Sequence, residues 1–255
     1  MKAIWKGSLS FGLVNIPIKL YSATEQKTLG FNMLCGTCNS LIKYKRWCPH
    51  CKKEVTWDNI VKGIEKKDGK FFILTKEKIE ALKPEKTDTI DIVEFVDKGM
   101  IAPIYFNNHY YAAPKKADEK SYFLLQKALS SGATYAIGRF VMREKEYVCA
   151  IEAYKNGLLL TTLNYDYEIR DIDKIGTLAK RAPKLDKKEL ALARELINKM
   201  SKKKFDISKF KDTFAQTLKK MLKKKPKKEK TKKAAPKRKR KVTRPTLMES
   251  LRASL

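Results

Sequence analysis

The stretch from Ile4 to Glu25 constrains the fold most, because its apolar side chains alternate along the chain as they do in a half-buried β-strand. The apolar residues Leu9, Phe11 and Leu13 fall at odd positions, whereas Val14, Ile16, Ile18 and Leu20 fall at even positions. Side chains of a strand point alternately to opposite faces, so this change requires an inserted residue or a sharp bend, for which Gly12 supplies a permissive backbone. Pro17 cannot donate a ladder hydrogen bond and is expected at an edge or another irregularity. The stretch predicts one long bent strand, which suits closure of a barrel and fits an ordinary β domain equally well.

Several later segments also alternate with the period of a strand. Thr89 to Val96 changes parity once and predicts a second bent strand. Ile104 to Phe106 and His109 to Ala112 flank the pair Asn107-Asn108, which tolerates positive φ, so these residues predict a hairpin. The remaining strand predictions are Lys70 to Leu74 and an antiparallel meander of Thr134 to Met142, Tyr147 to Tyr154 and Leu158 to Tyr165. Together these segments provide enough strands to close a barrel.

Helical periodicity occurs in four segments. The predicted helices are Lys76 to Leu82 after the N-cap Thr75, Ala117 to Ser131 before the C-cap Gly132, a helix that starts at Asp186 and runs to Met200, and Ser208 to Leu222. The last two helices have basic faces opposite apolar ones. Three environments remain open for them: the barrel, a second subunit or a docked partner.

The charge of the chain indicates a polyanionic partner. Lys and Arg number 57 against 28 Asp and Glu, a formal net charge of +29. Lys219 to Lys241 holds fifteen basic residues and one acid, residues 242–255 add +1, and residues 1–218 keep +14. The part outside the tail is therefore basic in its own right. Nucleic acid is favoured over an anionic membrane, because no basic helix carries a broad aromatic face.

The chain has no run of about 18 apolar residues and no secretory leader pattern, so we expect neither a membrane span nor export. Four of its five cysteines are grouped as two CxxC units, which fits a reducing compartment better than a disulfide framework. These features predict a cytoplasmic protein, associated with the nucleoid if its partner is chromosomal DNA.

The two CxxC units, Cys35-Gly36-Thr37-Cys38 and Cys48-Pro49-His50-Cys51, lie nine residues apart. Two such knuckles can hold one Zn²⁺ tetrahedrally, and four thiolates leave no open position for water, so the metal would be structural. We predict a zinc ribbon over residues 33–53 with Cys35, Cys38, Cys48 and Cys51 as ligands. A redox-active dithiol is the alternative, and His50 is a competing ligand.

The residues between the knuckles, Leu41 to Trp47, are predicted to form a strand. Lys43, Lys45 and Arg46 alternate there with aromatic residues. This edge either faces phosphates or is simply solvated, and the sequence favours neither.

The segment Ala3 to Glu25, read as AIWKGSLSFGLVNIPIKLYSATE, closely resembles the opening of the bacterial and archaeal Ku proteins of DNA double-strand break repair. Further similar segments follow in family order, namely Ile60 to Gly63, Ile90 to Val96, Pro103 to Phe106, Ala136 to Phe140 and Leu159 to Tyr165. The resemblance covers roughly residues 1–222.

The resemblance implies a mainly β, α+β fold: a Ku-type β-barrel core whose excursions form a bridge around DNA. We expect the core at residues 1–182 with the zinc ribbon inserted, a helical C-terminal region at 183–222, and a disordered Lys/Arg-rich tail with a short apolar end at 223–255. The family further implies a ring-shaped homodimer that threads onto double-stranded DNA ends and recruits the multifunctional ATP-dependent DNA ligase of non-homologous end joining.

Basic residues on or beside the family-like strands, in the zinc ribbon or in the tail are the candidates for contact with DNA phosphates. They are Lys6, Lys19, Lys43, Lys45, Arg46, Lys62, Arg139, Arg143, Lys237, Arg238, Lys239, Arg240 and Lys241.

Two other functions compete with this prediction. A metal-dependent nuclease needs clustered carboxylates, and the densest acidic run, Asp166, Glu168, Asp171 and Asp173, has the composition of a solvated turn. With two histidines and no phosphate-binding glycine loop, we do not expect an enzyme. A zinc-ribbon chromatin or transcription protein would share the metal and the charge but would show no preference for DNA ends.

Overall fold

The computed structural model describes residues 1–27, 30–85, 87–115, 119–178 and 184–223. The chain divides into two compact units, Met1–Arg170 and Asp171–Leu255, the second described as far as Lys223. No helix within the described ranges is long and apolar enough to cross a membrane.

The strands are β1 (Trp5–Phe11), β2 (Val14–Ser22), β3 (Trp47–Cys48), β4 (Lys53–Glu54), β5 (Lys62–Glu65), β6 (Phe71–Leu74), β7 (Thr89–Asp97), β8 (Phe106–Pro114), β9 (Thr134–Met142), β10 (Lys145–Tyr154) and β11 (Gly157–Leu163). The helices are α1 (Lys76–Ala81), α2 (Glu119–Gly132), α3 (Lys187–Met200) and α4 (Thr213–Lys223).

Seven of these strands close into a barrel in the order β1-β2-β8-β11-β10-β9-β7, which confirms the barrel prediction. Neighbouring strands are antiparallel except β1 and β7, which pair in parallel with Leu9 opposite Ile90. Closure gives every barrel strand two hydrogen-bonded neighbours and leaves no exposed edge. The pairs β3-β4 and β5-β6 form separate two-stranded sheets.

The core fills the barrel and the space beneath α2. Its largest fully buried side chains include Leu9, Ile16, Ile18, Leu20, Ile90, Phe140, Ile151, Leu158, Leu160 and, from α2, Tyr122 and Leu129. The buried hydroxyl of Tyr122 donates a hydrogen bond to the carbonyl of Ala112 at 2.6 Å and accepts one from the amide of Leu158 at 2.8 Å. These two bonds tie α2 to β8 and β11.

The prediction of one long bent strand from Ile4 to Glu25 is wrong, because β1 and β2 are two strands of a tight hairpin. Phe11 lies opposite Val14, and Gly12 occupies the first turn position with φ +56°. That conformation suits the first central residue of a type II′ turn, whose twist matches that of the flanking strands. Pro17 lies near the end of the β2-β8 pairing, where its carbonyl accepts a hydrogen bond from the amide of Lys115 at 3.1 Å.

The predicted hairpin at Asn107-Asn108 is also wrong, since β8 runs through both residues without turning. The amide of Asn108 donates to the Thr162 hydroxyl at 3.1 Å, and the Asn107 side-chain amide donates to the Asn164 side-chain oxygen at 2.7 Å. Partners on β11 and just after it therefore satisfy these polar groups and hold them in the extended ladder.

The other barrel predictions largely agree with the structure. The meander is formed by β9, β10 and β11, and β7 contains an irregularity between Ile92 and Glu94 that accounts for its change of parity. The Thr75 side chain accepts a hydrogen bond from the Lys78 amide at the start of α1. In contrast to the prediction, Gly132 belongs to α2, and Ala133 takes the left-handed conformation with φ +48°.

The excursion, defined as residues 23–88 between β2 and β7, contains the two small sheets and α1. None of its described residues is buried. The predicted strand from Leu41 to Trp47 is wrong, because β3 begins at Trp47 and Leu41 makes an isolated bridge to Leu34. The side chains from Leu41 to Trp47 are all exposed, so no buried face selects an extended ladder there.

The second unit contains α3 and α4, and no described residue in it is buried. The Asp186 carboxylate accepts from the Lys188 amide at the start of α3. The helix predicted from Ser208 starts later, at Thr213, because Asp206 caps a short 3₁₀ turn at Ile207–Lys209 and Asp212 accepts from the Ala215 amide at 3.0 Å.

Candidate nucleic-acid interface

Lys6 and Lys19 lie directly opposite each other on β1 and β2. Their strand neighbours Ile18 and Leu20 point into the core, so Lys19 and its partner Lys6 point outward from the barrel. Cross-strand partners lie about 5 Å apart at their Cα atoms, which concentrates two ammonium groups on a small area. Like charges this close repel each other unless an anion binds between or beside them.

A polar depression of about 390 Å³ adjoins this lysine pair and is lined by Lys6, Ser8, Asn15, Asp88 and Lys115, among others. Its backbone geometry depends on Gly7, where an added Cβ would lie 2.2 Å from the Asp88 carbonyl oxygen. Two ammonium groups, a hydroxyl and an amide provide donors suited to a phosphate, and the Asp88 side chain is the one acid among the lining residues. Lys115 was missed by the sequence prediction, although it follows a strand-like segment directly.

Arg139 points outward from β9, but its setting is mixed in charge. Asp91 lies opposite it on β7, and Glu146 lines the same shallow depression. Arg143 occupies the turn between β9 and β10 with φ +51°. The structure thus places the two predicted arginines at the barrel surface, with carboxylates beside Arg139.

Lys62 lies on β5, in the excursion, beside a depression that combines both signs of charge. Lys83 forms ion pairs there with Glu80 and with Glu144, the latter at 2.6 Å. These hydrogen bonds raise the pKa of the Lys83 ammonium, Glu144 contributing most. This surface is less electropositive than the neighbourhood of Lys6 and Lys19.

The three basic residues predicted between the cysteine knuckles have different surroundings. Lys43 is exposed, whereas Lys45 forms an ion pair with Glu54 at 3.1 Å. The Arg46 guanidinium lies 4.2 Å from the ring centre of Trp57 and donates to the Val55 carbonyl at 3.3 Å. Arg46 therefore has a structural role in the excursion irrespective of any ligand.

Each CxxC unit forms a tight knuckle. The residue after each second cysteine, Asn39 and Lys52, has positive φ, and the Cys51 amide donates to the Cys48 sulfur at 3.4 Å. Backbone hydrogen bonds from Cys38 and Thr37 lower the pKa of Cys35 to about 7. The pKa of Cys48 is also lowered, chiefly by the backbone hydrogen bond from Cys51.

Both knuckles thus favour a thiolate at their first cysteine, which is the form that binds zinc. Across the residues that the structure describes, no three side chains of His, Cys, Asp or Glu converge as a metal centre would require. Hydrogen bonds within each knuckle connect Cys35 with Cys38 and Cys48 with Cys51, and His50 is exposed. The donor chemistry of each pair fits Zn²⁺.

The carboxylates of the acidic run considered for a nuclease accept hydrogen bonds, one from a distant part of the chain and two within turns. Asp166 accepts from the Tyr105 hydroxyl at 3.1 Å, and Glu168 accepts from the Tyr165 amide at 2.9 Å. Asp171 accepts from the amide of Asp173 at 2.9 Å. Glu168 and Asp171 therefore stabilise turns, and Asp166 connects its turn to Tyr105. The predicted phosphate contacts of the tail, Lys237 to Lys241, lie outside the described residues.

The similarity of this chain to known proteins extends over the barrel. The family model described as the Ku70/Ku80 beta-barrel domain matches residues 10–192. The chain is similar to the non-homologous end joining protein Ku of Heliobacterium modesticaldum, with 40% identity over 79% of this chain and 72% of that protein. It is 38% identical to the protein of that name from Archaeoglobus fulgidus, over 86% of this chain and 85% of that one. It is 37% identical to that from Lachnoclostridium phytofermentans, over 98% and 95%.

Proposed function

The chain belongs to the Ku family, and we propose that it binds the ends of double-stranded DNA in non-homologous end joining without reading base sequence. The observation that carries this proposal is the family match over residues 10–192, since that span contains the whole closed barrel except the first five of the seven residues of β1. A binder of this kind needs phosphate contacts and a shape that admits an end, and it needs no catalytic group.

Two copies of the chain would form a ring that duplex DNA enters from an end, so that topology supplies the preference for ends. The exposed apolar side chains of the β5-β6 sheet support contact with a second copy of the chain. Ile64, Phe71 and Ile73 on it are 55–65% exposed. A two-stranded sheet is marginally stable alone, and burial of these apolar side chains against a partner would stabilise it.

We assign the phosphate contacts first to the outward-facing pair Lys6 and Lys19, joined by Lys115. Their neighbours offer hydroxyl and amide donors, which contact phosphate oxygens without discriminating between bases. Arg139, Arg143, Lys43 and Lys62 are further proposed contacts elsewhere on the surface, and the tail residues Lys237 to Lys241 would add electrostatic attraction that does not depend on DNA sequence.

The cysteine pairs would hold one structural zinc. Cys35, Cys38, Cys48 and Cys51 would supply four thiolates, and the ion would crosslink the two knuckles, which do not converge on one site among the described residues. The backbone N–H groups of Cys38 and Cys51 stabilise the thiolates of Cys35 and Cys48, so both knuckles are prepared for a cation. The crosslink would stabilise the excursion without taking part in any reaction.

The second unit would serve protein contacts. Apolar side chains of α3 and α4 such as Ile197, Phe214 and Met221 are 62–65% exposed, which supports docking of a partner. In the proposed function that partner is the ATP-dependent ligase of end joining, which seals the break, while this chain is not an enzyme. The protein would act in the cytoplasm, on nucleoid DNA.

Competition binding tests the end preference. A labelled linear duplex bound by the full chain at near-physiological salt is challenged with unlabelled linear or closed circular DNA at equal base-pair concentration. We expect linear DNA to compete and circles to compete weakly. Repeating the assay with residues 224–255 removed separates the tail, whose attraction is equal for both competitors. Equal competition by circles would replace ring threading with a zinc-ribbon protein that coats DNA.

A further inference from the structure

We infer that a cleft on the outer surface of the barrel, walled by Tyr111, Tyr154 and Phe123, binds an unpaired nucleobase of a single-stranded DNA overhang. This inference rests on the proposed function and adds to it, since end binding by itself concerns the duplex. The cleft has a volume of about 420 Å³, within the range of small-ligand sites.

The two tyrosines form an aromatic platform. Their ring centroids lie 6.1 Å apart, and their planes are inclined by 23°, so the rings face the same way. Tyr111 is 37% and Tyr154 is 40% exposed, which leaves part of each ring open to a ligand. Planar bases stack on such rings irrespective of sequence, because every base has a π-face.

The cleft is held rigid from below and from the side. Its floor includes Ala112 and Leu158, the two residues whose backbone groups bond the buried Tyr122 hydroxyl. The turn that carries Lys155 is held to α2 by a hydrogen bond from the Gln126 side chain to the Lys155 carbonyl at 3.1 Å. A base would therefore enter a preformed site and little ordering would oppose binding.

Charge favours a nucleic acid as the occupant. Among the described residues that line the cleft, Lys155 alone is charged. Its ammonium lies 5.5 Å from the ring centre of Tyr154. Lys19 lies opposite Ala113 in the β2-β8 register and points to the same outer face. Alternating ammonium groups and aromatic rings are what single-stranded DNA binds through phosphates and bases.

The register also connects the cleft to the proposed phosphate contacts. Lys6, Lys19 and Ala113 form one continuous cross-strand row, and Tyr21 lies opposite Tyr111 in the row two residues along β2 and β8. A DNA strand whose phosphates bind Lys6 and Lys19 therefore lies within about two β-strand spacings, or roughly 10 Å, of the aromatic platform.

A second stacked pair, Tyr165 and Tyr167, provides the matched control. Its rings are 5.4 Å apart and inclined by 8°, and Tyr167 is 80% exposed. Asp166 and Glu168 flank Tyr167 in the chain, so carboxylates would repel a phosphate beside it. Lys145 and Arg139 lie near Tyr165, but Lys145 pairs with Glu168 at 3.5 Å and Asp91 lies opposite Arg139, so this pair is aromatic in surroundings of mixed charge.

The test measures Kd for short duplexes closed by a hairpin at one end and carrying at the other either a blunt end or a short single-stranded overhang. For the wild-type chain we expect the overhang to bind about tenfold tighter than the blunt end. The double variant Y111A/Y154A should lose this difference and keep the blunt-end Kd. The variants Y111F/Y154F and Y167A should both retain it.

An overhang preference that survives in Y111A/Y154A, or a double variant that binds blunt ends equally poorly, would overturn the inference. Normal blunt-end binding with no overhang preference in the wild type would overturn it while leaving the proposed function intact. Failure to prefer ends at all would remove the proposed function itself.

Competition by thymidine monophosphate at concentrations matched to the overhang would assign the cleft to free nucleotides instead. Binding of a proline-rich peptide that Y111A/Y154A abolishes, with overhang affinity unchanged, would assign it to a peptide.

Discussion

The barrel and the excursion contain similar apolar side chains, but only the barrel buries them. Phe140 on β9 is 1% exposed, whereas Phe71 on β6 is 65% exposed, and Ile151 and Ile64 differ in the same way at 0% and 60%. A closed barrel gives each strand two neighbours and an interior, while a two-stranded sheet has no second layer to pack against. The excursion therefore depends on local bonds, and we expect a metal, a partner or DNA to supply the rest of its stability.

Metal removal should have the largest effect and should affect the excursion alone. Structural zinc in small sites supplies on the order of 10 kcal/mol of local folding free energy. We expect chelation to abolish hydrogen-exchange protection of the Cys35 and Val55 amides, which donate to the ribbon carbonyls of Ser40 and Arg46, and to leave barrel amides protected. The variant Cys48→Ser should lose bound zinc, and Cys149→Ala, in the barrel, should retain it. Protein purified with reduced thiols but without zinc would contradict the prediction.

The thiols of the two regions should differ in reactivity by several orders of magnitude. Burial raises the pKa of Cys149 to about 12, so at pH 8 about one molecule in ten thousand carries its thiolate. Alkylation resolved by mass spectrometry, in the presence of a chelator, should label the excursion cysteines rapidly and Cys149 last. Because the pKa lies above the working range, any labelling of Cys149 in the folded protein should rise about tenfold per pH unit. Equal rates in the native protein would contradict its burial.

The same substitution should be costly in the barrel and nearly neutral in the excursion. Phe140 packs edge-on against Trp5, with ring centroids 5.7 Å apart, and contacts Tyr147 at 5.8 Å. Phe140→Ala should lower the free energy of unfolding by about 3–5 kcal/mol. Phe71→Ala should change it by less than about 0.5 kcal/mol in the isolated chain. Urea unfolding followed by circular dichroism measures both, and a large loss with Phe71→Ala would show that the excursion has a core of its own.

Lysines of the two regions should differ in their effect on DNA binding. Replacing both Lys6 and Lys19 with Ala should reduce the slope of log K against log salt by about 1.8 for every DNA sequence, because each phosphate that the protein no longer neutralises lowers the slope by about 0.9. The matched pair Lys43→Ala and Lys45→Ala should reduce it less, because Glu54 already pairs with Lys45. The opposite ranking would move the phosphate contacts from the barrel to the ribbon.

The contact between Arg46 and Trp57 should give the smallest effect. A cation over an exposed aromatic ring stabilises by about 0.5–1 kcal/mol. Trp57→Ala should therefore speed exchange of the Val55 amide, which donates to the Arg46 carbonyl, by about two- to fivefold. Tyr44→Ala, an exposed aromatic elsewhere in the ribbon, serves as the control and should leave this rate unchanged.

Local patterns predicted much of the barrel. The meander of β9 to β11 follows from alternation broken by polar turns, and the bulge in β7 follows from its change of parity. The N-terminal change of parity was assigned to the wrong cause. In the β1-β2 hairpin every odd position of β1 lies opposite an even one of β2, as Leu9 lies opposite Ile16. A hairpin with a two-residue turn and a bent strand therefore leave the same pattern, and only pairing distinguishes them.

The residues of the candidate site were likewise predicted only in part. Lys6 and Lys19 were predicted singly, from their positions on family-like strands, but their adjacency follows from the hairpin register. Lys115 and the Tyr111–Tyr154 platform were missed, because each depends on neighbours far away in the chain. Tyr154 comes from the meander and Tyr111 from β8, and their rings meet because β8, β11 and β10 are consecutive in the barrel.

The amino-acid sequence was sufficient to predict the family, the basic charge, the two cysteine knuckles and the location of most strands. These properties depend on residue type, composition and short-range periodicity, which a chain carries whether or not it is folded. The folded structure was needed to show which strands pair, which side chains face outward together and which apolar residues stay exposed. Those properties depend on strand pairing and on closure of the barrel, since a cross-strand neighbour exists only after a turn or a longer connection has brought two strands together.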